Sequence, residues 1–400
     1  MSEEESAGES RARIVALVGG LFVVSAAAAA YEIAPASVTP LVRESLGIGP
    51  AAAGWLVSVM FATVTVTSLP AGVALDRVSV RLAVPAAVGA LFLAGAWGYT
   101  AAAADAYWPL VASRVLGGLA YVVVWNAGAT VVGVAVPGEM RATAVGAFTA
   151  SAPAGFALGQ FGAPLVADPL GWPAVLPATA ALAVPGLVAF LVATRGQRFE
   201  VDADPPDRAA VRRLFLDRGA WTLSVLCFLA FSLYLFLNSW LPSYLVEEVG
   251  VSLAVGGLLT AVFPAVGIAS RTMGGLVSDR LFGGRRRPVA VLAFALTAPA
   301  VAGFLLTTRI PLLVGLVVVA GAAVQLGIGL VFSYVVEVVP ASVGTTAVSM
   351  LTAVGLFGAF VAPIGAGWVI GRAGYRPVFV VATVVAVLGI LVALRAPEAG

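Results

Sequence analysis

Apolar segments of about 20 residues recur from one end of this chain to the other, and no other feature constrains its fold as strongly. A helix of that length can cross the hydrocarbon core of a bilayer. The composition agrees, since 61% of the residues are hydrophobic and only 10% are charged, against about 25% charged in a soluble globular protein. The sequence therefore predicts an all-α, polytopic membrane protein.

Breaks between the apolar segments divide the chain into twelve predicted transmembrane spans. The spans cover residues 14–36, 51–75, 82–103, 107–135, 142–166, 173–194, 220–241, 253–278, 288–306, 310–336, 345–370 and 376–395. The longest polar stretch, 195–218, leaves six spans on either side. We expect two pseudo-symmetric six-helix bundles at 14–194 and 219–395, joined by the loop 195–218 and flanked by tails at 1–13 and 396–400.

The distribution of arginine orients the spans, because all 22 basic residues are arginine. With a cytoplasmic N-terminus, 16 arginines fall on the inner side and four fall on outer loops. This positive-inside bias predicts a protein of the cell membrane with both termini and the central loop in the cytoplasm. A secretory signal is the alternative for the first span, but its leader, MSEEESAGES, is acidic.

The residue types that are missing exclude several kinds of chemistry. The chain has neither lysine nor histidine, so a side chain titrating near neutral pH inside the membrane has to be a carboxylate. The single cysteine, Cys227, excludes an intrachain disulfide. The sequence has no metal cluster and no phosphate loop, and a net charge of +2 does not indicate nucleic acid. We expect no enzyme activity, cofactor or metal, and the expected partners are a small solute, protons and membrane lipid.

An internal repeat relates the two halves, because one shift of 203 residues superimposes five separated places. The coincidences are Gly72, Asp76 and Arg77 on Gly275, Asp279 and Arg280, Pro137 on Pro340, Thr143–Val145 on Thr346–Val348, Gly171 and Trp172 on Gly374 and Tyr375, and Tyr31 on Tyr234. Homologous halves are expected of a transporter that rocks two bundles around a central site.

Three short motifs give the chain a family resemblance along essentially its whole length. GVALDRVSVR (72–81) and GGLVSDRLFGGRR (274–286) resemble the loop signature of the major facilitator superfamily and its repeat in the second half. RVLGGL (114–119) resembles the fourth-helix motif of that family. The departures are Ser79 in place of a usual glycine and Gly117 where glutamine is common. The resemblance implies a monomeric secondary transporter that works by alternating access.

The resemblance also implies a cytoplasmic gate. Asp76 would face the start of the eleventh span and Asp279 the start of the fifth, where a helix dipole stabilises a carboxylate by about 0.3–1 kcal/mol. Positive-inside topology is the alternative explanation for the charges in and beside the two loop motifs, and we prefer it for Arg286 and Arg287. The predicted gate residues are Gly72, Asp76, Arg77, Arg81, Gly275, Asp279 and Arg280.

Arg271 is the charge that most strongly suggests a binding site. It lies about 12 Å along the eighth span from Asp279, and half of the hydrocarbon core is about 15 Å thick, which places it near the midplane. An arginine there costs about 2.5–3.5 kcal/mol to insert, and its guanidinium is suited to binding a small anion bidentately. Anion carriers of the superfamily have a substrate-binding arginine at this position. Structural pairing within the bundle is the alternative.

Departures from the anion carriers narrow the expected substrate. Ser68 occupies the position where nitrate porters have a second arginine, and the eleventh span has no basic residue, unlike oxalate carriers. One arginine matches one carboxylate, so we expect a monocarboxylate-like organic anion, moved by proton symport or by anion exchange. Further candidates for lining the site, with helix packing as the alternative role, are Tyr31, Tyr234, Asn126, Asn238 and Gln325.

Glu32 and Arg114 are the remaining charges within the first bundle. Both are expected in its outer half, and we predict that they approach each other, with Glu32 as the intramembrane proton carrier. The alternative is an exposed carboxylate at the outer rim.

Two other functions remain open. Pro153, Gly155 and Gly159 partly match an antiporter motif and favour a proton-driven drug exporter, which Arg271 disfavours because the drugs are cationic. A membrane receptor without transport is less consistent with loops as short as these.

Overall fold

A computed structural model describes residues 3–75, 78–195, 212–340 and 343–398. Within those ranges the regular structure is helical, with no strand. A 3₁₀ turn at Trp172–Ala174 precedes α8. The α-helices are α1 Glu3–Ser37, α2 Thr39–Leu46, α3 Pro50–Leu75, α4 Val80–Ala103, α5 Tyr107–Ala135, α6 Gly138–Thr149, α7 Ser151–Leu170, α8 Val175–Ala181, α9 Ala183–Ala193, α10 Arg218–Glu247, α11 Leu253–Phe282, α12 Arg286–Gly303, α13 Ile310–Val338, α14 Gly344–Ala373 and α15 Tyr375–Ala393.

Polar side chains and glycines set several helix ends. The Asp217 carboxylate accepts a hydrogen bond from the backbone N–H of Ala220 at 2.7 Å and caps the N-terminus of α10. At the C-terminus of α11, Gly283 adopts a left-handed conformation with φ of 60°, which ends that helix. Local sequence thus fixes where these helices begin and end.

Proline breaks the predicted span 142–166 into two shorter helices. The predicted span 142–166 is formed by α6 and α7, which are separated at Ala150. Pro153 has no N–H for the carbonyl three to four residues before it, so the helical ladder is interrupted at this point. Ten of the described helical segments are long and apolar enough to cross a membrane. The predictions of helical class and multiple spans are confirmed, whereas the count of twelve stays a prediction.

The first compact unit comprises Met1–Pro35 and Val66–Ala203. Its core is built from aliphatic side chains around Phe148 and Phe190, both with no exposed surface. Glycines bring helices of this unit into backbone contact, since a Cβ on Gly159 would lie 2.7 Å from the carbonyl oxygen of Ala30. This packing explains Gly155 and Gly159 without an antiporter role, because both glycines lie directly against the α1 backbone.

The second compact unit comprises Ala36–Thr65 and Asp204–Gly400. Within it, α10 packs mainly on α14, and α11 packs mainly on α13. The segment Ala36–Thr65 is joined to this unit through α14, as Trp55 meets Phe360 edge-on with ring centroids 5.6 Å apart. The predicted bundle boundaries at 14–194 and 219–395 therefore differ from the grouping by contacts, and they stay a prediction about the two repeats.

Candidate functional site

Three of the predicted site residues meet in the second unit, each from a different helix. Arg271 on α11 donates from Nε to the Gln325 Oε1 of α13 at 2.8 Å. Its guanidinium carbon lies 5.7 Å from the centre of the Tyr234 ring on α10. Gln325 is fully buried, and Arg271 is only partly buried. The structure thus gathers a cation, a neutral amide and an aromatic ring.

The same cluster is supported by neighbours on α10 and α11. The Tyr234 ring stacks on Phe263 with centroids 5.7 Å apart. Asn238, also predicted to line the site, is buried and donates from Nδ2 to the Tyr234 carbonyl oxygen at 2.8 Å. Asn238 therefore contacts the backbone that carries Tyr234, and its amide hydrogen bond lies within its own helix.

The predicted pair in the first unit forms a second cluster. Arg114 on α5 donates from Nη1 to the carbonyl oxygen of Tyr31 at 2.7 Å and from Nη2 to that of Glu32. Its guanidinium carbon also lies 4.6 Å from the centre of the Tyr31 ring. Arg114 and Glu32 thus approach each other as predicted, but Arg114 contacts the main-chain oxygen of Glu32 and not its carboxylate.

Proline explains why a main-chain carbonyl is available there. Pro35 lies inside α1 and has no N–H, so the carbonyl of Tyr31, four residues earlier, loses its helical donor. Arg114 satisfies that carbonyl, which otherwise would be an unmade hydrogen bond in a buried place. Sequence reasoning missed this function of Arg114, although Pro35 was the signal that could have revealed it.

The exposed-rim interpretation of Glu32 is wrong, because only 1% of its surface is exposed. Among the described residues, its Oε1 atom has no hydrogen-bond partner. The Tyr31 ring beside it packs over Gly117, where a Cβ would lie 2.5 Å from the ring atom Cε1. The family departure at Gly117 therefore has a local reason, since only glycine leaves room for this ring.

A pair of equivalent contacts supports the internal repeat. Asn126 donates from Nδ2 to the Ser68 carbonyl oxygen at 3.1 Å. Their counterparts 203 residues later are Gly329 and Arg271, and a Cβ on Gly329 would overlap the Arg271 carbonyl oxygen. The equivalent helix backbones thus approach each other in both halves. The contact is made by the Asn126 amide in the first half and by Gly329 in the second. The contact of Asn126 is therefore with a helix backbone.

The predicted gate is only partly described. Asp76 and Arg77 lie outside the described residues, whereas Arg81 lies in the first turn of α4 and Arg280 in the last turn of α11. A Cβ on Gly72 would meet open space. These observations leave the gate in the first half as a prediction.

In the second half, Arg286 makes side-chain contacts that positive-inside topology alone does not predict. It donates to Asp279 at 3.0 Å, to Glu337 at 2.8 Å and to the Gly275 carbonyl oxygen at 3.3 Å. The hydrogen bonds to Glu337, more than any other interaction, raise the pKa of Arg286 above its usual value, so it stays charged. Our assignment of Arg286 to topology was incomplete, and Arg287 likewise contacts Glu398 at 3.4 Å.

A third polar cluster was not predicted. Arg43 on α2 donates to Glu247 at 2.8 Å, and the Tyr375 hydroxyl donates to the other oxygen of the same carboxylate at 3.0 Å. These residues are separated by about 200 and 130 positions in the chain, so no local pattern reveals the contact. The cluster ties α2 to α10 and α15 within the second unit.

The sequence model of the family described as Major Facilitator Superfamily matches residues 20–298 and, again, 242–400. Two solved structures of a bacterial homologue of the human lysosomal transporter Spinster, both inward-facing, one occupied and one unoccupied, each give a TM-score of 0.76 at 16% identity. The match to the occupied form includes 95% of this chain and 96% of the solved structure. The similarity to these structures establishes the fold.

Three curated relatives have names that refer to nitrate or nitrite. The "Nitrite extrusion protein" of Bacillus subtilis is 28% identical over 153 residues, 38% of this chain and 37% of the relative. The "Probable nitrate/nitrite transporter NarK2" of Mycobacterium tuberculosis is 28% identical over 204 residues, 50% of this chain and 48% of the relative. The "Probable nitrate/nitrite antiporter NarK1" of Thermus thermophilus is 41% identical over 66 residues, 16% of this chain and 15% of the relative. The chain thus spans about half the length of these relatives, or less.

Proposed function

Because this chain belongs to the major facilitator superfamily, we propose that it carries a small planar oxyanion of single charge, bound by Arg271. Family membership makes the chain a multi-pass membrane protein and a secondary transporter, and not an enzyme. The anion and its route are the proposed part. Twelve spans with both termini in the cytoplasm, and a gate that includes Asp76 and Asp279, belong to the same proposal.

The observation that carries the proposal is the charge of Arg271. Its hydrogen bond to Gln325 and its contact with the Tyr234 ring both involve neutral groups. The side chain is also only partly buried, unlike Arg114, which has no exposed surface. A partly exposed guanidinium inside a membrane helix, next to an amide and an aromatic ring, is suited to bind a small anion.

Nitrite, nitrate and short carboxylates share the chemistry that such a site recognises. Each presents two oxygens in one plane, which match the planar fork of a guanidinium. The names of the relatives favour nitrite and nitrate. The presence of Ser68, where nitrate porters have a second arginine, favours a monocarboxylate, so both anion types belong in the first test.

Proton coupling is assigned to Glu32 in this proposal. Its carboxyl group is buried, and the Arg114 guanidinium donates to main-chain oxygens. Arg114 therefore fixes the α1 backbone that carries Glu32. A carboxyl group in such a place can take up and release a proton as the bundles rock, which supports symport, while anion exchange is the alternative coupling.

A proton-driven exporter of apolar cations is the second candidate, since the buried Glu32 also suits that activity. The partly exposed charge of Arg271 disfavours a cationic substrate near it. Export of a cationic dye that depends on Glu32 and not on Arg271 would favour this second candidate.

The test is uptake of labelled anions into proteoliposomes, with nitrite, nitrate, formate, lactate, pyruvate and oxalate, each with and without an inward proton gradient. We expect uptake of one monovalent anion that is lost in Arg271→Gln. The matched control is Arg372→Gln, since Arg372 packs on Trp368 at 3.7 Å at the end of α14. No anion uptake by the wild type, or uptake that survives Arg271→Gln, would overturn the proposed role of Arg271.

The coupling is tested separately with Glu32→Gln, which keeps the size of the side chain and removes its ionisation. We expect uptake that no longer responds to the proton gradient, while exchange of the anion across the membrane continues. A gradient response equal to that of the wild type contradicts the assignment to Glu32.

A further inference from the structure

The contact between Gln325 and Arg271 does more than fill space. We infer that Gln325 is a positioning residue, which fixes the orientation of the Arg271 guanidinium toward the anion, and that Gly267 provides the space this requires. The inference rests on the proposed function, because it specifies how the same site presents its charge. It extends the proposal to two residues whose contacts lie entirely within the second unit.

The direction of the Gln325 amide is fixed by chemistry. The Arg271 Nε–H is a donor and lies 2.8 Å from the Gln325 side chain, so the amide oxygen must face it. The amide nitrogen then points away from the guanidinium. Because Gln325 is fully buried, its rotamer is restricted by the packing of α11 and α13 around it.

The absence of a side chain at Gly267 leaves the space that the Gln325 amide occupies. Gly267 lies four residues before Arg271 on α11, so both residues are on the same face of the helix. A Cβ on Gly267 would overlap the amide nitrogen of Gln325 and would lie 2.7 Å from its Cγ. The Gln325 side chain therefore lies flat along α11, from Gly267 to Arg271, and an alanine at position 267 would displace it.

The hydrogen bond from Arg271 Nε to Gln325 determines which edge of the guanidinium can bind the anion. A carboxylate or similar anion can bind side-on, through Nε and one Nη, or end-on, through both Nη atoms. The bond from Nε to Gln325 closes the side-on edge, so the anion has to approach end-on. Since the glutamine is neutral, it orients the arginine without cancelling the charge that attracts the anion.

The other polar atom of the Gln325 amide lies against Gly267 and not against Arg271. Its Nε2 atom is buried and has no hydrogen-bond partner among the described residues. A buried donor without an acceptor is unfavourable, so the bond to Arg271, and not a partner of Nε2, accounts for the orientation of this amide.

The inference is tested by transport kinetics of full-length Gln325→Ala and Gly267→Ala in proteoliposomes. We expect the KM for the anion to rise about tenfold in each variant, with the maximal rate changed far less, because ground-state binding is what a misaligned guanidinium loses. The double variant should match Gln325→Ala alone, since Gly267→Ala acts only by displacing the amide. Gly315→Ala on α13, where a Cβ would meet open space, is the matched control and should behave as the wild type.

A second readout does not depend on transport. In protein labelled with ¹⁵N-arginine, the Nε–H signal that disappears in Arg271→Gln should shift in Gln325→Ala and in Gly267→Ala, and not in Gly315→Ala. An unshifted signal overturns the contact itself. Uptake that requires Arg271 but has a wild-type KM in both variants overturns the positioning role alone. Absence of anion uptake by the wild type overturns the proposed function and the role of Gln325 with it, whatever the signal shows.

Discussion

Arg114 and Arg271 are both arginines within membrane-spanning helices, yet the protein satisfies them in opposite ways. Arg114 is fully buried, and both of its Nη atoms donate to main-chain carbonyl oxygens of α1. Arg271 is partly exposed, and its described hydrogen bond is made by Nε to one neutral side chain. Both arginines also lie near a tyrosine, and those tyrosines are equivalent in the repeat.

The difference between the hydrogen-bond partners of these two arginines indicates what each one does. Carbonyl oxygens of a helix cannot move away, so the hydrogen bonds of Arg114 are fixed for as long as α1 keeps its shape. Those bonds hold α1 and α5 together. The described bond of Arg271 is to a neutral side chain, and we propose that its guanidinium binds the transported anion. Under the proposed function, burial and the type of partner separate a structural arginine from a binding one more clearly than depth in the membrane does.

The largest expected effect is on stability, for Arg114→Gln. This change leaves the buried carbonyl of Tyr31 without a donor and removes a cation that several groups surround. Two hydrogen bonds from a charged donor are lost, each contributing about 1.5–3 kcal/mol, so we expect a lower unfolding temperature of the purified protein in detergent. Arg271→Gln should change that temperature far less, and an equal loss for the two variants would remove the contrast between the two arginines.

Arg271→Lys should affect binding more than stability. Lysine keeps the charge but loses the planar fork and the bond from Nε to Gln325. A charged hydrogen bond contributes about 1.5–3 kcal/mol, so we expect the KM for the anion to rise roughly 10–100-fold. The measurement is uptake kinetics, and a KM close to that of the wild type would show that the charge alone suffices.

Pro35→Ala tests why Arg114 is needed. An alanine at position 35 restores an N–H that can bond to the Tyr31 carbonyl, the group that Arg114 now satisfies. In that background the cost of Arg114→Gln should fall by about 1 kcal/mol, the net value of one hydrogen bond. A thermal double-mutant cycle measures this coupling, and strictly additive effects would mean that Pro35 is irrelevant to Arg114.

The smallest effect is expected for Asp279→Asn. Its side chain is 60% exposed, and Arg286 keeps its contacts with Glu337 when this partner is weakened. Solvent and salt screen such a pair, so the stability should change by less than about 1 kcal/mol. A much slower uptake rate with unchanged stability would instead support the predicted gate.

Much of the fold could be predicted because hydropathy is a local property of the chain. The apolar segments, the repeat and the family motifs gave the all-helical class and the transporter assignment, both of which family membership confirms. The interruption of the fifth span at Ala150 was not predicted, although Pro153 was visible. Proline leaves the hydropathy of a segment almost unchanged, although its missing N–H interrupts the helix.

The candidate site was predicted in part. Arg271, Tyr234 and Gln325 were each named, and the structure brings them together. Whether Glu32 is exposed or buried could not be decided from its position along one helix, because burial depends on the neighbouring helices. Nor could the contact of Arg43 with Glu247 be predicted, since the two residues lie on helices far apart in the chain.

The sequence by itself determined which segments are helical and apolar, that the halves repeat, and that an arginine stands within the apolar segment 253–278. Those properties follow from composition and spacing within short stretches of chain. Only the tertiary structure decided which partners each arginine meets. Partner choice depends on how each helix is rotated and how closely its neighbour approaches, and here glycines such as Gly117 and Gly267 set those approaches.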